Sequence, residues 1–184
     1  MLISQFDCGD EDLNDFFNNE ALMFQDQLMG QTYAFTLDSD PSKIVCAFSV
    51  SNDALRVDDL PNSRRKKVIK QIPHAKIFPA FPSVKIGRLG VDVNFTGHQI
   101  GSQLMDFIKA WFSEAANKTG CRFITIDAYN NEKAKSYYER NGFDYLFHEE
   151  ESELEYINGP RAPNRQLNSL FTRTMYFDLI KLKS

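Results

Sequence analysis

No apolar run in these 184 residues approaches the ~20 that a membrane-spanning helix needs, so no membrane partner is expected. Cysteine is scarce. Cys8, Cys46 and Cys121 are odd in number, scattered, and without metal-type spacing. They fit a reduced, cytoplasmic setting better than a disulfide framework. Histidine is equally sparse: His74, His98 and His148 stand alone, each is expected at the surface, and no metal site is expected. A strong basic balance is missing too. The net charge of −4 excludes a wholesale nucleic-acid coat but leaves room for a local basic patch. Met1–Phe6 is too short and has no cationic start, so no signal peptide is expected. Repeats and low-complexity tracts are absent.

What is present suits one ordinary globular domain, residues 1–184, large enough to bury its own core. Gly9-Asp10-Glu11-Asp12 offers a cap and acids for a helix start, and Leu13, Phe16, Phe17, Ala21 and Phe24 recur at helical spacing until Gly30. Gln31–Leu37 and Lys43–Ser51 read as a hairpin across the turn-rich DSDPS. Leu60–Ile72, with Arg64, Arg65, Lys66, Lys67 and Lys70, reads as a short basic helix. Pro73, Pro79 and Pro82 mark a loop. Val84–Asp92 is a strand, Gly101–Asn117 a helix, and Arg122–Tyr129 a strand whose Phe123-Ile124-Thr125-Ile126 suits burial on both faces. Strand, helix, strand makes a βαβ unit, so these two strands should be parallel. Asn131–Asn141 is a helix closed by Gly142. Phe143–His148 and Leu170–Leu182 are the last strands, around a long polar stretch, Glu149–Ser169. In Val84–Val91, the apolar pairs Val84/Ile86 and Leu89/Val91 fall in opposite phases. A bulge near Gly87–Arg88 reconciles them, unless both faces are covered.

Two stretches carry chemistry. Thr96-Gly97-His98-Gln99-Ile100-Gly101-Ser102 joins a strand to a helix. Backbone N–H groups at such a helix start can hold an anion, although a plain glycine turn reads the same way. The loop lacks the Gly-Lys-Ser/Thr of a P-loop and the three-glycine dinucleotide fingerprint. The second stretch runs Asn131-x-x-Ala134-x-x-x-Tyr138-x-x-x-Gly142-Phe143. Ala134 and Tyr138 lie one turn apart on one helix face, a small residue beside a phenol, although a core aromatic reads the same way.

In this order, across roughly Val84–Phe143, the two stretches resemble the GNAT superfamily of acyl-CoA-dependent N-acyltransferases. The resemblance implies a single α/β domain: a mixed, mostly antiparallel sheet with a splayed parallel pair of strands, flanked by helices. It implies acetyl-CoA as acyl donor and a primary amine as acceptor. The backbone of Leu89, Gly90 and Val91 would pair with the pantetheine arm and polarise the acetyl carbonyl. N–H groups of Gly97, His98, Gln99, Ile100, Gly101 and Ser102 would cradle the pyrophosphate. Asn131 would bond the pantetheine, and Tyr138 would protonate the leaving thiolate. The loop departs from the family pattern, with Thr96 at the Arg/Gln position and Gln99 at the first glycine. The strand before it offers Lys85, Arg88 and Asp92 but no glutamate to serve as base. Asp127 is another acid within the motif region.

A narrower resemblance joins Phe6-Asp7-Cys8-Gly9, the Phe-rich helix and Gly87-Arg88-Leu89-Gly90-Val91-Asp92. These are similar to GNAT-type toxins of toxin–antitoxin pairs, which acetylate the amino group of aminoacyl-tRNA. It implies a charged-tRNA acceptor, held in part by Arg64–Lys70 through phosphate contacts, and an antitoxin partner. The superfamily's late strands also imply contacts between two copies of the chain. The basic run reads equally as a solvated helix face, and the acidic EEESELE opposes a polyanion. A small-molecule or protein amine, or a catalytically silent acyl-CoA-binding module, remain the rival readings.

Overall fold

The computed structural model describes residues 5–117, 119–159 and 167–183. Helix α1 (Glu11–Asp15) starts where Asp10 caps it, its side chain accepting from the Leu13 amide at 3.1 Å. It runs into a π-helical turn, Phe16–Glu20, and then α2 (Ala21–Asp26). Strands β1 (Gln31–Leu37) and β2 (Asp40–Arg56) form the expected hairpin. Its turn is tighter than DSDPS suggested, because Leu37 already pairs with Asp40. The basic segment folds as α3 (Asn62–Ile69). Strand β3 spans Ala80–Val91, so Pro82 lies in a strand and not in the loop expected there. Helix α4 (Ile100–Ser113) and β4 (Phe123–Tyr129) follow, then α5 (Glu132–Arg140) and the two-residue β5 (Asp144–Tyr145). Helix α6 (Glu150–Ile157) occupies part of the stretch read as polar and irregular; residues 160–166 of that stretch lie outside the described residues. Strand β6 (Thr172–Asp178) ends in a 3-10 turn, Leu179–Leu182, where the sequence had suggested strand to the end.

The strands form one six-stranded sheet in the order β1-β2-β3-β4-β6-β5. The β1–β2, β4–β6 and β5–β6 pairs are antiparallel, and β3 with β4 is the one parallel pair. This is the mixed, mostly antiparallel α/β architecture that the sequence implied.

The chain divides into two compact units: Met1–Asn52 with Val84–Lys118, and Asp53–Ser83 with Thr119–Ser184. In the first, the Phe-rich N-terminal helix buries Phe16 at 1% exposure, and Phe6 packs edge-on against Phe17. Tyr33 stacks on Phe48 at 5.4 Å while Trp111 of α4 meets Tyr33 edge-on at 4.9 Å. Burying such aromatics is the main stabilising term available here. In the second unit, Leu55, Val57, Val68, Phe81, Phe123, Phe147 and Tyr176 form the core.

That second core carries the basic helix. Arg64 donates through Nε to the Leu146 carbonyl at 3.2 Å and through Nη2 to the Tyr145 carbonyl. Lys67 pairs with Asp144 at 3.2 Å. Arg64 is therefore committed to holding β5 and the turn after it, so neither reading of the run, phosphate contact or solvated face, describes this one residue. One member of the acidic run is likewise committed. Glu153 is 1% exposed, buried against Arg173.

Candidate active site

In the first unit the site is built from the end of β3 and the loop that follows. Asp92 is buried, and its carboxylate does three jobs. Oδ1 accepts from the Asn94 amide at 3.0 Å and from Asn94 Nδ2 at 2.9 Å, and Oδ2 accepts from the Asp7 amide at 3.3 Å. The Val93 amide returns a bond to the Asp7 carbonyl at 2.8 Å. Asp92 thus caps the short 3-10 turn Val93–Phe95 and ties it to the N-terminal strap. A carboxylate so committed is poorly placed to serve as base. Gly90 is held as tightly. A methyl group placed there would meet Cys8 Sγ and Phe6 at 3.1 Å, so the strap would have to give way by a few tenths of an ångström.

The loop then opens to solvent. Thr96, Gly97, His98, Gln99 and Ser102 are exposed, with Ile100 and Gly101 half-buried. Gly97 and Gln99 adopt left-handed φ angles of 81° and 59°. For Gly97 this is free of strain, whereas Gln99 carries a side chain where the family pattern favours glycine. The hydroxyl of Thr96 donates to the Val93 carbonyl at 3.0 Å, and His98 Nδ1 lies 3.0 Å from the Thr96 carbonyl. A carbonyl only accepts, so Nδ1 is the donor in this contact. The bond from the Gln103 amide to the Gln99 carbonyl, 3.1 Å, opens α4. The start of α4 has no side-chain cap from Gln99, and its positively polarised end suits an anion.

In the second unit, Asn131 caps α5, its Oδ1 accepting from the Ala134 amide at 2.9 Å. The sequence reading assigned it a ligand role and missed this cap, although Asn ahead of Glu132 is a helix-start signal. Tyr138 is half-buried. Its ring meets Tyr137 at 4.9 Å and Phe143 at 5.6 Å, both edge-on. Gly142, at φ 78°, turns the chain so that Phe143 reaches Tyr138. Burial, with the Tyr129 phenol adding to it, pushes the Tyr138 pKa up to about 12. The phenol therefore stays protonated and can donate throughout the working range of most enzymes. Asp127 is exposed and accepts from Thr174 Oγ1 at 3.3 Å.

Tyr176 is also pushed up to about 12, mainly by burial and then by Asp144. This has a measurable consequence. In the unfolded chain both phenols titrate near ~10. Between about pH 10 and pH 12 the unfolded state has lost protons that the folded state keeps, so stability falls as pH rises through that window. A near-ultraviolet titration of the native protein should show a late phenolate fraction, smaller by one residue in Tyr138→Phe. Titration of all tyrosines together near pH 10 would contradict the burial of these hydroxyls.

Residues 65–145 match the family model described as the acetyltransferase (GNAT) domain. The matched segment, under half of the chain, is similar to a GNAT acetyltransferase domain. Acetyl-CoA is the acyl donor of such a domain, and the end of β3, the loop and α5 all lie within the matched segment. Solved structures share the fold. A tyrosine-to-phenylalanine mutant of KacT is 23% identical, with a TM-score of 0.68 over 98% of this chain and 89% of that one. AtaT complexed with acetyl-methionyl-tRNA is 21% identical, with a TM-score of 0.71 over 97% and 88%. A mutant AtaT toxin bound to the C-terminus of the antitoxin AtaR and acetyl-CoA is 18% identical, with a TM-score of 0.66 over 100% and 89%. Among the described residues no helix is long and apolar enough to cross a membrane, and no group of three or more His, Cys, Asp or Glu side chains is set to hold a metal ion.

Proposed function

We propose that this GNAT-like domain moves the acetyl group of acetyl-CoA onto the free amine of an aminoacyl-tRNA, in the cytoplasm, as the toxin of a toxin–antitoxin pair. The observation that carries the reading is the start of α4, which the Gln99 side chain does not cap, in a segment whose preceding strand holds no glutamate base. The α4 amides and the helix dipole bind the diphosphate of CoA. The N–H groups at Leu89–Val91 stabilise the oxygen that turns negative as the amine attacks the thioester carbonyl. Tyr138 gives a proton to the departing thiolate, and Asn131 steadies the pantetheine arm. An amine next to an ester has a low pKa and arrives largely neutral, so it needs little help from a base. The AtaT complex with acetyl-methionyl-tRNA and the AtaT–AtaR complex support the same choice of acceptor and of a protein antitoxin.

The test is direct. Purified protein, labelled acetyl-CoA and a pool of charged tRNA should yield N-acetyl-aminoacyl-tRNA, detected after ester hydrolysis. Binding should weaken steeply with salt. Transfer to free lysine or polyamines but not to charged tRNA would instead establish the small-molecule reading.

A further inference from the structure

Among the described residues, one cation of the first unit, Arg88, meets no counter-charge. Arg88 lies on β3, immediately before Leu89–Val91. Its Nε is buried and meets no hydrogen-bond partner among the described residues. No carboxylate pairs with it there. The nearby acids are used otherwise: Asp92 caps its own turn, and Asp7 accepts from the Gly9 amide at 2.9 Å and from Asn14 Nδ2 at 2.7 Å. A buried guanidinium nitrogen left unpaired is costly, and its retention calls for an explanation.

The neighbours of Arg88 hold it in one pose. Its guanidinium carbon sits 3.9 Å from the centroid of the Phe16 ring and 5.7 Å from that of Phe24. Those rings meet edge-on at 5.7 Å. Phe16 is placed by the π-helical turn, where the Ala21 amide bonds the Phe16 carbonyl five residues back. Such one-turn insertions recur at functional sites. The Phe16 ring covers the guanidinium, and a planar fork matches the oxygens of a phosphate. Alternation along β3 puts Arg88 on the face of Gly90, where Phe6 and Cys8 lie.

We propose that Arg88 is an acceptor-binding residue. Its guanidinium receives a phosphate oxygen from the nucleotide end of the acceptor and so selects amines carried on a phosphodiester chain. This rests on the proposed acetyl transfer to charged tRNA and names the group by which that acceptor is recognised.

Three proteins are compared: wild type, Arg88→Met, which keeps the apolar stem on Phe16, and Arg88→Lys, which keeps the charge without the fork. Thermal unfolding first establishes that each is folded, and Arg88→Lys serves if Arg88→Met is not. With charged tRNA, Arg88→Met should raise KM about tenfold or more while kcat and the KM for acetyl-CoA hold, and Arg88→Lys should fall between. With an amino-acid methyl ester, which bears no phosphate, kcat/KM should change by less than about twofold. Separately, the CoA-saturated proteins are titrated with the trinucleotide CCA, and Arg88→Met should bind about tenfold more weakly. Equal losses on both acceptors, or CCA binding that ignores Arg88, would overturn the proposal. Arg88-dependent CCA binding without transfer to charged tRNA would sink the functional reading and leave this one standing.

Discussion

Replacing Tyr138 by phenylalanine is expected to lower kcat about 100-fold while CoA still binds as before. The figure corresponds to roughly 2.7 kcal/mol of transition-state stabilisation, ordinary for the loss of one positioned proton donor. The substitution removes the hydroxyl and keeps the ring, so the edge-on contacts with Tyr137 and Phe143 survive and the fold is spared. Because the phenol is pushed up to about 12, the wild-type rate should show no alkaline fall caused by Tyr138 until the protein itself begins to lose stability. Isothermal titration with CoA and steady-state kinetics check both halves. Unchanged turnover would remove Tyr138 from the mechanism. Lost CoA binding would make it a structural residue.

The second large effect concerns Arg173. Arg173 Nε lies 2.7 Å from Glu153 Oε2, and the Thr174 amide donates to Glu153 Oε1 at 2.6 Å. Arg173 Nη2 also donates to the Phe147 carbonyl at 3.1 Å, and Glu150 stands 3.8 Å from Nη1. Exposures of 1% for Glu153 and 6% for Arg173 mean neither charge is relieved by water. Arg173→Met leaves the Glu153 carboxylate buried and uncompensated, which should cost about 3–5 kcal/mol. Urea denaturation measures it. The double variant Arg173→Met/Glu153→Leu should recover much of the loss, because no orphan charge remains. A single-variant loss below about 1 kcal/mol would show that water reaches the pair.

The order of elements was legible because periodicity and turn chemistry are local signals. Phe123–Ile126 announced a buried strand, and Gly142 announced the end of a helix. What escaped was set by tertiary contacts. EEESELE reads as solvated acid, and only Arg173, some twenty residues on, makes Glu153 a core residue. Arg64 reads as a free cation until two carbonyls far along the chain take its protons. Pro82 reads as a breaker, yet its carbonyl still accepts from the Arg122 amide at 2.9 Å. The π-helical turn has no sequence signature, since Phe16-Phe17 fits an α-helix equally well. Of the candidate site, the loop and Tyr138 were legible as motifs. The bed under Arg88 was not, because cation and rings are more than sixty residues apart.

The central claim is that the amides of the β3–α4 loop grip the cofactor's diphosphate while the α5 phenol meets its sulfur. A crystal structure of the protein with acetyl-CoA tests it most directly. The account predicts diphosphate oxygens within about 3 Å of amide nitrogens in the 97–102 loop, and the thioester sulfur at a similar distance from the Tyr138 hydroxyl. A diphosphate bound away from that loop, or a Tyr138 hydroxyl turned from the sulfur, would contradict it.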